Sequence, residues 1–309
     1  MRRLSKISPD WWDYTTLDEE ILEDAGGLSE KDILELSRPG FKVKFYENLE
    51  TLYAAEAMEY IKCWKDSTPD NPTGICGPIG PTEQLPIVAR MINDLEIDIR
   101  SGYYWGMDEW FVDGKEMSDK NPLSFKKAFL ELCLNRIDKR FRMPDENIFL
   151  IRADNIKEFS DSFDQVKCLT MQGGQGDVKH WSFNDPFKRK GRYKDEPPSS
   201  EEYMKLDSRL VELHPMTIMQ NARTSGGGAV YKVPTEALTV GPGETFKSGK
   251  VTIWHAGNHD NQFGIRLTSM MISKKIIDTS VPMSLLAEHP DVEFNIYRPA
   301  VKSWKTEMH

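Results

Sequence analysis

Cysteine is scarce. The chain holds four, Cys63, Cys76, Cys133 and Cys168, in 309 residues, and no two of them form a Cys-x-x-Cys pair. That spacing excludes a disulfide framework and argues against a cysteine zinc site, so four reduced, mostly buried thiols are expected. No apolar run is long enough to span a bilayer. The first residues carry two arginines but lack the apolar stretch of a signal peptide, which makes a cytoplasmic location the default expectation. A Walker loop is absent, as are internal repeats and low-complexity tracts. An excess of positive charge is missing too. With 49 acidic and 40 basic residues the net charge is -9, which argues against a nucleic-acid partner. What remains is a chain 39% hydrophobic and 29% charged, a composition of folded globular proteins. Its length suits one large α/β domain, with or without an extension.

Residues 1–40 read as an N-terminal arm, set apart from a domain over 41–309. The arm carries Trp11, Trp12 and Tyr14, an acidic helix-like run over 16–24 broken at Gly26-Gly27, and a capped helix start at Ser29. The tryptophan pair is expected to pack the arm onto the core or onto another subunit. Alternation over 41–46 predicts a strand, and the spacing of Leu49, Leu52, Tyr53, Ala57, Tyr60, Ile61 and Trp64 predicts a helix. Strands are expected at 74–76, 103–107, 148–151, 168–171, 237–240 and 251–255. Helices are expected over 82–95, 124–140 and 262–277, and a polar surface loop over 188–200. Strands alternating with helices imply right-handed βαβ units around a mainly parallel sheet.

Sites in open parallel sheets form at the carboxyl ends of strands. Three clusters fall there. Residues 77–82 join a strand to a helix through Gly77, Ile79, Gly80 and Thr82, a connection that presents backbone N–H groups to an anion, although Pro78 and Pro81 lack that donor. Asp108 and Glu109 follow an aromatic strand, where a carboxylate with a raised pKa serves as a general base; capping and surface pairing are the plainer roles for such a pair. His180 lies between Asp177 and Asp185 after the glycine-rich residues 173–176, and a histidine flanked by carboxylates shuttles protons near neutral pH. His255 and His259 are spaced for chelation only on a helix, and Gly257-Asn258 between them opposes that geometry, so no metal is expected.

The order of these stretches resembles the glucosamine-6-phosphate deaminase/isomerase family, within the wider group that includes ribose-5-phosphate isomerase A and 6-phosphogluconolactonase. The resemblance rests on Gly-Met-Asp-Glu-Trp at 106–110, Asn-Pro-Leu-Ser-Phe at 121–125 and Met-Pro-Asp-Glu-Asn-Ile at 143–148. It continues through Gln-Gly-Gly-Gln-Gly-Asp-Val-Lys-His-Trp-Ser-Phe-Asn-Asp-Pro at 172–186 and Ala-Leu-Thr-Val-Gly-Pro-Gly at 237–243. It covers about residues 41–301 and leaves out the arm. It implies a modified Rossmann-like fold, a mainly parallel sheet with helices on both faces, and aldose–ketose isomerisation coupled to loss of ammonia. It implies Asp108 as the proton-moving base with Glu109 beside it, His180 as the group that assists ring opening, Arg209 as a phosphate ligand and residues 77–82 as the phosphate loop.

The chain departs from the family at several points. Val178 stands where the family has a carboxylate two residues before the histidine, with Asp177 one position earlier. Asp185 replaces a closing glutamate, and Asp260 replaces a phosphate-binding lysine. An aspartate repels a dianion rather than binding it. The expected activity is therefore that of a sugar isomerase/deaminase-like enzyme with no cofactor, acting on an amino sugar with or without a phosphate. The rivals are a sugar-lactone hydrolase on the same scaffold and a sugar-binding protein that has lost catalysis. The expected partner is a small sugar or sugar phosphate, not nucleic acid or membrane; a homo-oligomer is left open.

Overall fold

The computed structural model describes residues 2–78, 82–257 and 261–302. Eleven strands follow in chain order: β1 (Phe41–Tyr46), β2 (Thr73–Gly77), β3 (Tyr103–Gly106), β4 (Asp108–Val112), β5 (Lys115–Glu116), β6 (Ile148–Leu150), β7 (Lys167–Gly173), β8 (Arg209–Glu212), β9 (Glu236–Thr239), β10 (Val251–His255) and β11 (Val292–Tyr297). Seven of them form one sheet in the order β1-β11-β10-β7-β2-β3-β6, with every adjacent pair parallel. A second, four-stranded sheet runs β5-β4-β9-β8 and is antiparallel. The α/β, Rossmann-like expectation is correct. The antiparallel sheet is an addition to it.

β2 and β10 are buried along their whole length, as parallel strands covered on both faces are. One core cluster joins Ala57, Tyr60, Leu85, Val88 and Phe129 from helices Leu49–Trp64, Gln84–Asp94 and Phe125–Leu132. Another joins Phe159, Phe163, Ile265 and Ile272 from helices Ile156–Gln165 and Gln262–Lys274 to strand residues such as Ile253 and Phe294. All four cysteines are buried free thiols. Among the described residues no helix is long and apolar enough to cross a membrane.

Several elements differ in extent from the sequence expectation. The helix expected over 124–140 ends at Leu132, because Cys133 leaves the helical region (φ -123°, ψ -77°) and a short 3₁₀ turn follows. The helix expected to reach 277 stops at Lys274, where Lys275 takes a left-handed φ of 56°. The acidic helix of the arm spans Glu19–Gly27 and takes in both glycines that were expected to break it.

The first residues pack closely on the rest. Trp12 is fully buried; its indole N–H donates to the Tyr193 carbonyl at 2.9 Å, and the Arg189 guanidinium stacks on its ring at 3.8 Å. The polar loop after Phe187 is thus a strap that holds the arm in place.

The chain crosses between the two sheets at Met107. Its N–H donates to Gly77 O at the end of β2 (3.3 Å), and its carbonyl accepts from Val240 N after β9 (2.9 Å). Asp108, the next residue, therefore sits at the carboxyl edge of the parallel sheet and opens the antiparallel one.

Candidate active site

A cavity of about 330 Å³ opens at this edge. Pro78, Thr82 and Glu83 line it from between β2 and the next helix, Met107 and Asp108 from the sheet junction, Gly174, Gln175, Gly176 and His180 from beyond the end of β7, and Trp254 from β10. Gln220, Asn221, Thr224 and Ser225 close another side from helix Pro215–Thr224 and its end. A cleft at the carboxyl ends of parallel strands is where this architecture places ligands.

Asp108 borders the cavity but is otherwise enclosed by protein. Burial pushes its pKa up to about 6, against opposing hydrogen bonds from Ser182, Thr239 and the Phe183 N–H and the charge of His180. Its Oδ1 accepts from Ser182 Oγ and from Phe183 N at 3.3 Å. Ser182 Oγ in turn meets Thr239 Oγ1 at 2.6 Å, and Thr239 is Asp108's cross-strand partner. The carboxylate is held from one side and presents the other to the cavity.

His180 is buried, with its Nδ1 bonded to Asp185 Oδ1. Asp185 also accepts from the His214 backbone N–H (2.7 Å) and Thr217 Oγ1 (3.0 Å). This fixed carboxylate orients the imidazole and leaves Nε2 as its other, reactive nitrogen. The backbone around the ring is strained: Lys179 and Ser182 both have positive φ, 70° and 50°. Non-glycine residues in that region cluster at functional sites. Gly176 is pressed against the ring, and a Cβ there would meet His180 Nε2 at 2.1 Å.

The remaining candidates divide. Asp177 accepts from Arg223 (2.9 Å) and Asn261 (3.1 Å), so among the described residues it is Asp185, not Asp177, that partners the histidine. Val178, in the place of the missing carboxylate, is fully buried. Glu109 points away from the cavity that Asp108 lines. It accepts from Ser124 Oγ (2.9 Å), Lys126 N (3.0 Å) and Phe125 N (3.3 Å) at the start of helix Phe125–Leu132, where a carboxylate satisfies orphan donors. Replacing it with alanine is expected to lower stability by about 1–3 kcal/mol, read as a drop in melting temperature, while changing turnover far less than loss of Asp108 does.

Arg209 is also outside the cavity lining. Its guanidinium donates to Asn184 Oδ1 (3.1 Å) and Asp207 O (3.3 Å). Gly77 ends β2, and Tyr60 Oη would lie 2.4 Å from a Cβ there. Thr82 lines the cavity. Ile79, Gly80 and Asp260 lie outside the described residues. Sequence reasoning did not single out Glu83, Gln220, Asn221, Thr224 or Trp254, because no motif marks them. Among the described residues no group of three or more His, Cys, Asp or Glu side chains could hold a metal ion.

No family model matches the chain. Among curated proteins it is 24% identical to a glucosamine-6-phosphate deaminase of Halothermothrix orenii over 75% of this chain and 87% of that one. It is 24% identical to one of Clostridium tetani over 83% of this chain and 96% of that one. Among solved structures, a monomeric glucosamine-6-phosphate deaminase superposes with a TM-score of 0.63 at 18% identity, covering 85% of this chain and all of that one. A 6-phosphogluconolactonase from Leishmania guyanensis gives a TM-score of 0.55 at 11% identity, over 85% and 98% of the two chains. In the order of its motifs, in sequence over most of its length and in fold, this chain is similar to glucosamine-6-phosphate deaminases.

Proposed function

We propose that the chain is an amino-sugar isomerase/deaminase that works with Asp108 and His180. The observation that carries this reading is their pairing in one cavity: a carboxylate whose pKa burial raises to about 6, and a histidine backed by a fixed aspartate. His180 moves the proton needed to open the sugar ring. Asp108 then takes the proton from the carbon bearing the amine and returns it to the neighbouring carbonyl carbon, through an enolamine. The resulting ketose imine takes up water and releases ammonia. The net reaction, amino-aldose plus water to ketose plus ammonia, needs no external oxidant or reductant.

The curated relatives support this reading by their name. The test is ammonia and ketose formation from glucosamine and glucosamine 6-phosphate. The pH dependence follows from Asp108: kcat/KM is expected to fall as pH drops through about 6, because the base is then protonated. A rate that stays level down to pH 4.5 would exclude Asp108 as the base.

The likeness to lactonases favours a second reading, hydrolysis of a sugar lactone by water activated at His180. That chemistry has no need of a base at Asp108, and a lactone assay separates the two.

A further inference from the structure

We infer that Asp13, in the arm, is a positioning residue for His180: through His214 it fixes the carboxylate that orients the histidine. This rests on the reading of His180 as the group that opens the sugar ring, and it makes the arm part of the support of the active site.

The link is continuous. Asp185, which holds His180 Nδ1, is held in turn by the start of helix Pro215–Thr224. The His214 N–H donates to its Oδ2 at 2.7 Å and Thr217 Oγ1 to its Oδ1 at 3.0 Å. His214 is the N-cap of that helix, and its imidazole does the capping: Nδ1 accepts from Met216 N at 3.0 Å. With Nδ1 accepting, the ring carries its hydrogen on Nε2. That nitrogen stands 3.4 Å from Asp13 Oδ2, longer than an ordinary hydrogen bond but close for a pair with no exposure to solvent. The Trp11 ring packs edge-on against the imidazole at 5.1 Å. A carboxylate and an indole of the arm thus set the cap, and the cap sets the donors that hold Asp185.

The position calls for a carboxylate. Asp13 Oδ1 accepts from Thr15 N at 2.8 Å and Thr15 Oγ1 at 2.6 Å. Its Oδ2 accepts from Ser5 Oγ, and that hydroxyl oxygen is already an acceptor for Ile7 N and Ser8 N, both at 2.9 Å. An asparagine here would keep its oxygen toward the Thr15 backbone N–H. Its amide nitrogen would then face the Ser5 hydroxyl and the His214 ring N–H, donors against a donor.

The arm also grips both ends of the segment that carries His180 and Asp185. After Asp185, Trp12 N donates to Phe187 O (2.9 Å) and Arg189 N to Asp10 O (2.8 Å). Before His180, the Lys179 ammonium lies over the Tyr14 ring at 4.7 Å. Lys179 has a left-handed φ of 70°, a conformation that persists only where the surroundings over-determine it.

The experiment compares the full chain as wild type, Asp13→Asn and His214→Asn, each also carrying His180→Asn. It reads kcat and KM for ammonia release from glucosamine and glucosamine 6-phosphate, the melting temperature, and the proton resonance of His180 Nδ1–H, assigned by its absence in His180→Asn. Asp13→Asn is expected to lower kcat by up to about 10²-fold with KM nearly unchanged, and to shift that resonance. His214→Asn keeps a good helix cap and the backbone N–H to Asp185 but gives up the contact with Asp13, and should move both readouts the same way. If Asp13→Asn does not fold, His214→Asn decides alone. On the His180→Asn background Asp13→Asn should cost nothing further, because the two act through one group. Wild-type kcat and an unshifted resonance in folded variants overturn the inference while ammonia release leaves the amino-sugar reading standing. A loss that adds to that of His180→Asn overturns it as well, since it marks a role that bypasses the histidine. No ammonia from either sugar with the wild type overturns the amino-sugar reading, and the resonance then decides by itself whether Asp13 holds His180.

Discussion

Asp108→Asn is expected to lower turnover of the amino sugar by about 10²–10⁴-fold, the usual contribution of a general base, with little change in ligand affinity. The substitution keeps the local geometry. An amide oxygen still accepts from Ser182 Oγ and Phe183 N, as Asp108 Oδ1 does now. What it removes is the basic oxygen facing the cavity. The stability effect has the opposite sign. The folded-state pKa of about 6 lies above the ordinary carboxylate value of 3.8. The contribution of this group to stability is therefore full at low pH and is lost as pH rises through about 6. At pH 7.5 the wild type bears the cost of an ionised, enclosed carboxylate, which the neutral amide avoids. The variant should melt at the same temperature as the wild type or higher while being nearly inactive. Kinetics and thermal denaturation at pH 7.5 check both halves. A variant that keeps wild-type turnover would remove Asp108 from the mechanism.

Gly176→Ala should be almost as damaging by a different route. A single methyl at this position would overlap His180 Nε2, 2.1 Å away. The ring has no easy retreat, because its Nδ1 is bonded to Asp185 and Asp185 is held by His214 N and Thr217 Oγ1. Displacing a catalytic group by about 1 Å costs on the order of 10²-fold in rate. The fold should persist, because Gly176 does not have the positive φ that would strain an alanine. Gly74→Ala provides the contrast. There the added methyl would strike the Tyr103 carbonyl at 2.4 Å, inside the β2–β3 pairing, and the expected loss is of stability. Activity and melting temperature measured on both variants distinguish the two effects. A Gly176→Ala enzyme with wild-type kinetics would show that the position of His180 is not critical.

Much of the fold was legible wherever a segment's pattern and its surroundings agree. The strand Phe41–Tyr46 and the helix Leu49–Trp64 fall where alternation and helical spacing place them, the helix with Asn48 as its cap. β11 was not anticipated. Its Glu293 and Asn295 look like solvent-facing residues, yet the strand lies between β1 and β10 with both buried. Lys44 and Lys250 neutralise Glu293 there (2.8 and 3.0 Å), a compensation made by distant parts of the chain. Helix Pro215–Thr224 was missed for a related reason: most of it is not core, and it turns Gln220, Asn221 and Thr224 toward the cavity.

The site was legible as a set of positions but not as a set of roles. Asp108, Glu109, Asp177 and Asp185 are all carboxylates beside a predicted strand end. Only their hydrogen-bond partners separate a carboxylate that faces the cavity from a helix cap, an ion pair with Arg223 and a histidine partner. The resemblance implied Arg209 as a phosphate ligand, but its guanidinium donates to Asn184 and the Asp207 carbonyl and lies outside the cavity lining. The identity of Glu83 as a cavity residue depends on where helix Gln84–Asp94 begins, a boundary that spacing alone does not fix.

The most direct measurement is ammonia release and ketose formation from glucosamine and glucosamine 6-phosphate by the wild type and by Asp108→Asn, with a sugar lactone as a parallel substrate. Stoichiometric ammonia and ketose from an amino sugar, lost by at least about 10²-fold in the variant, is the predicted result. Hydrolysis of the lactone at the same rate by both proteins, with no ammonia from either amino sugar, would contradict it.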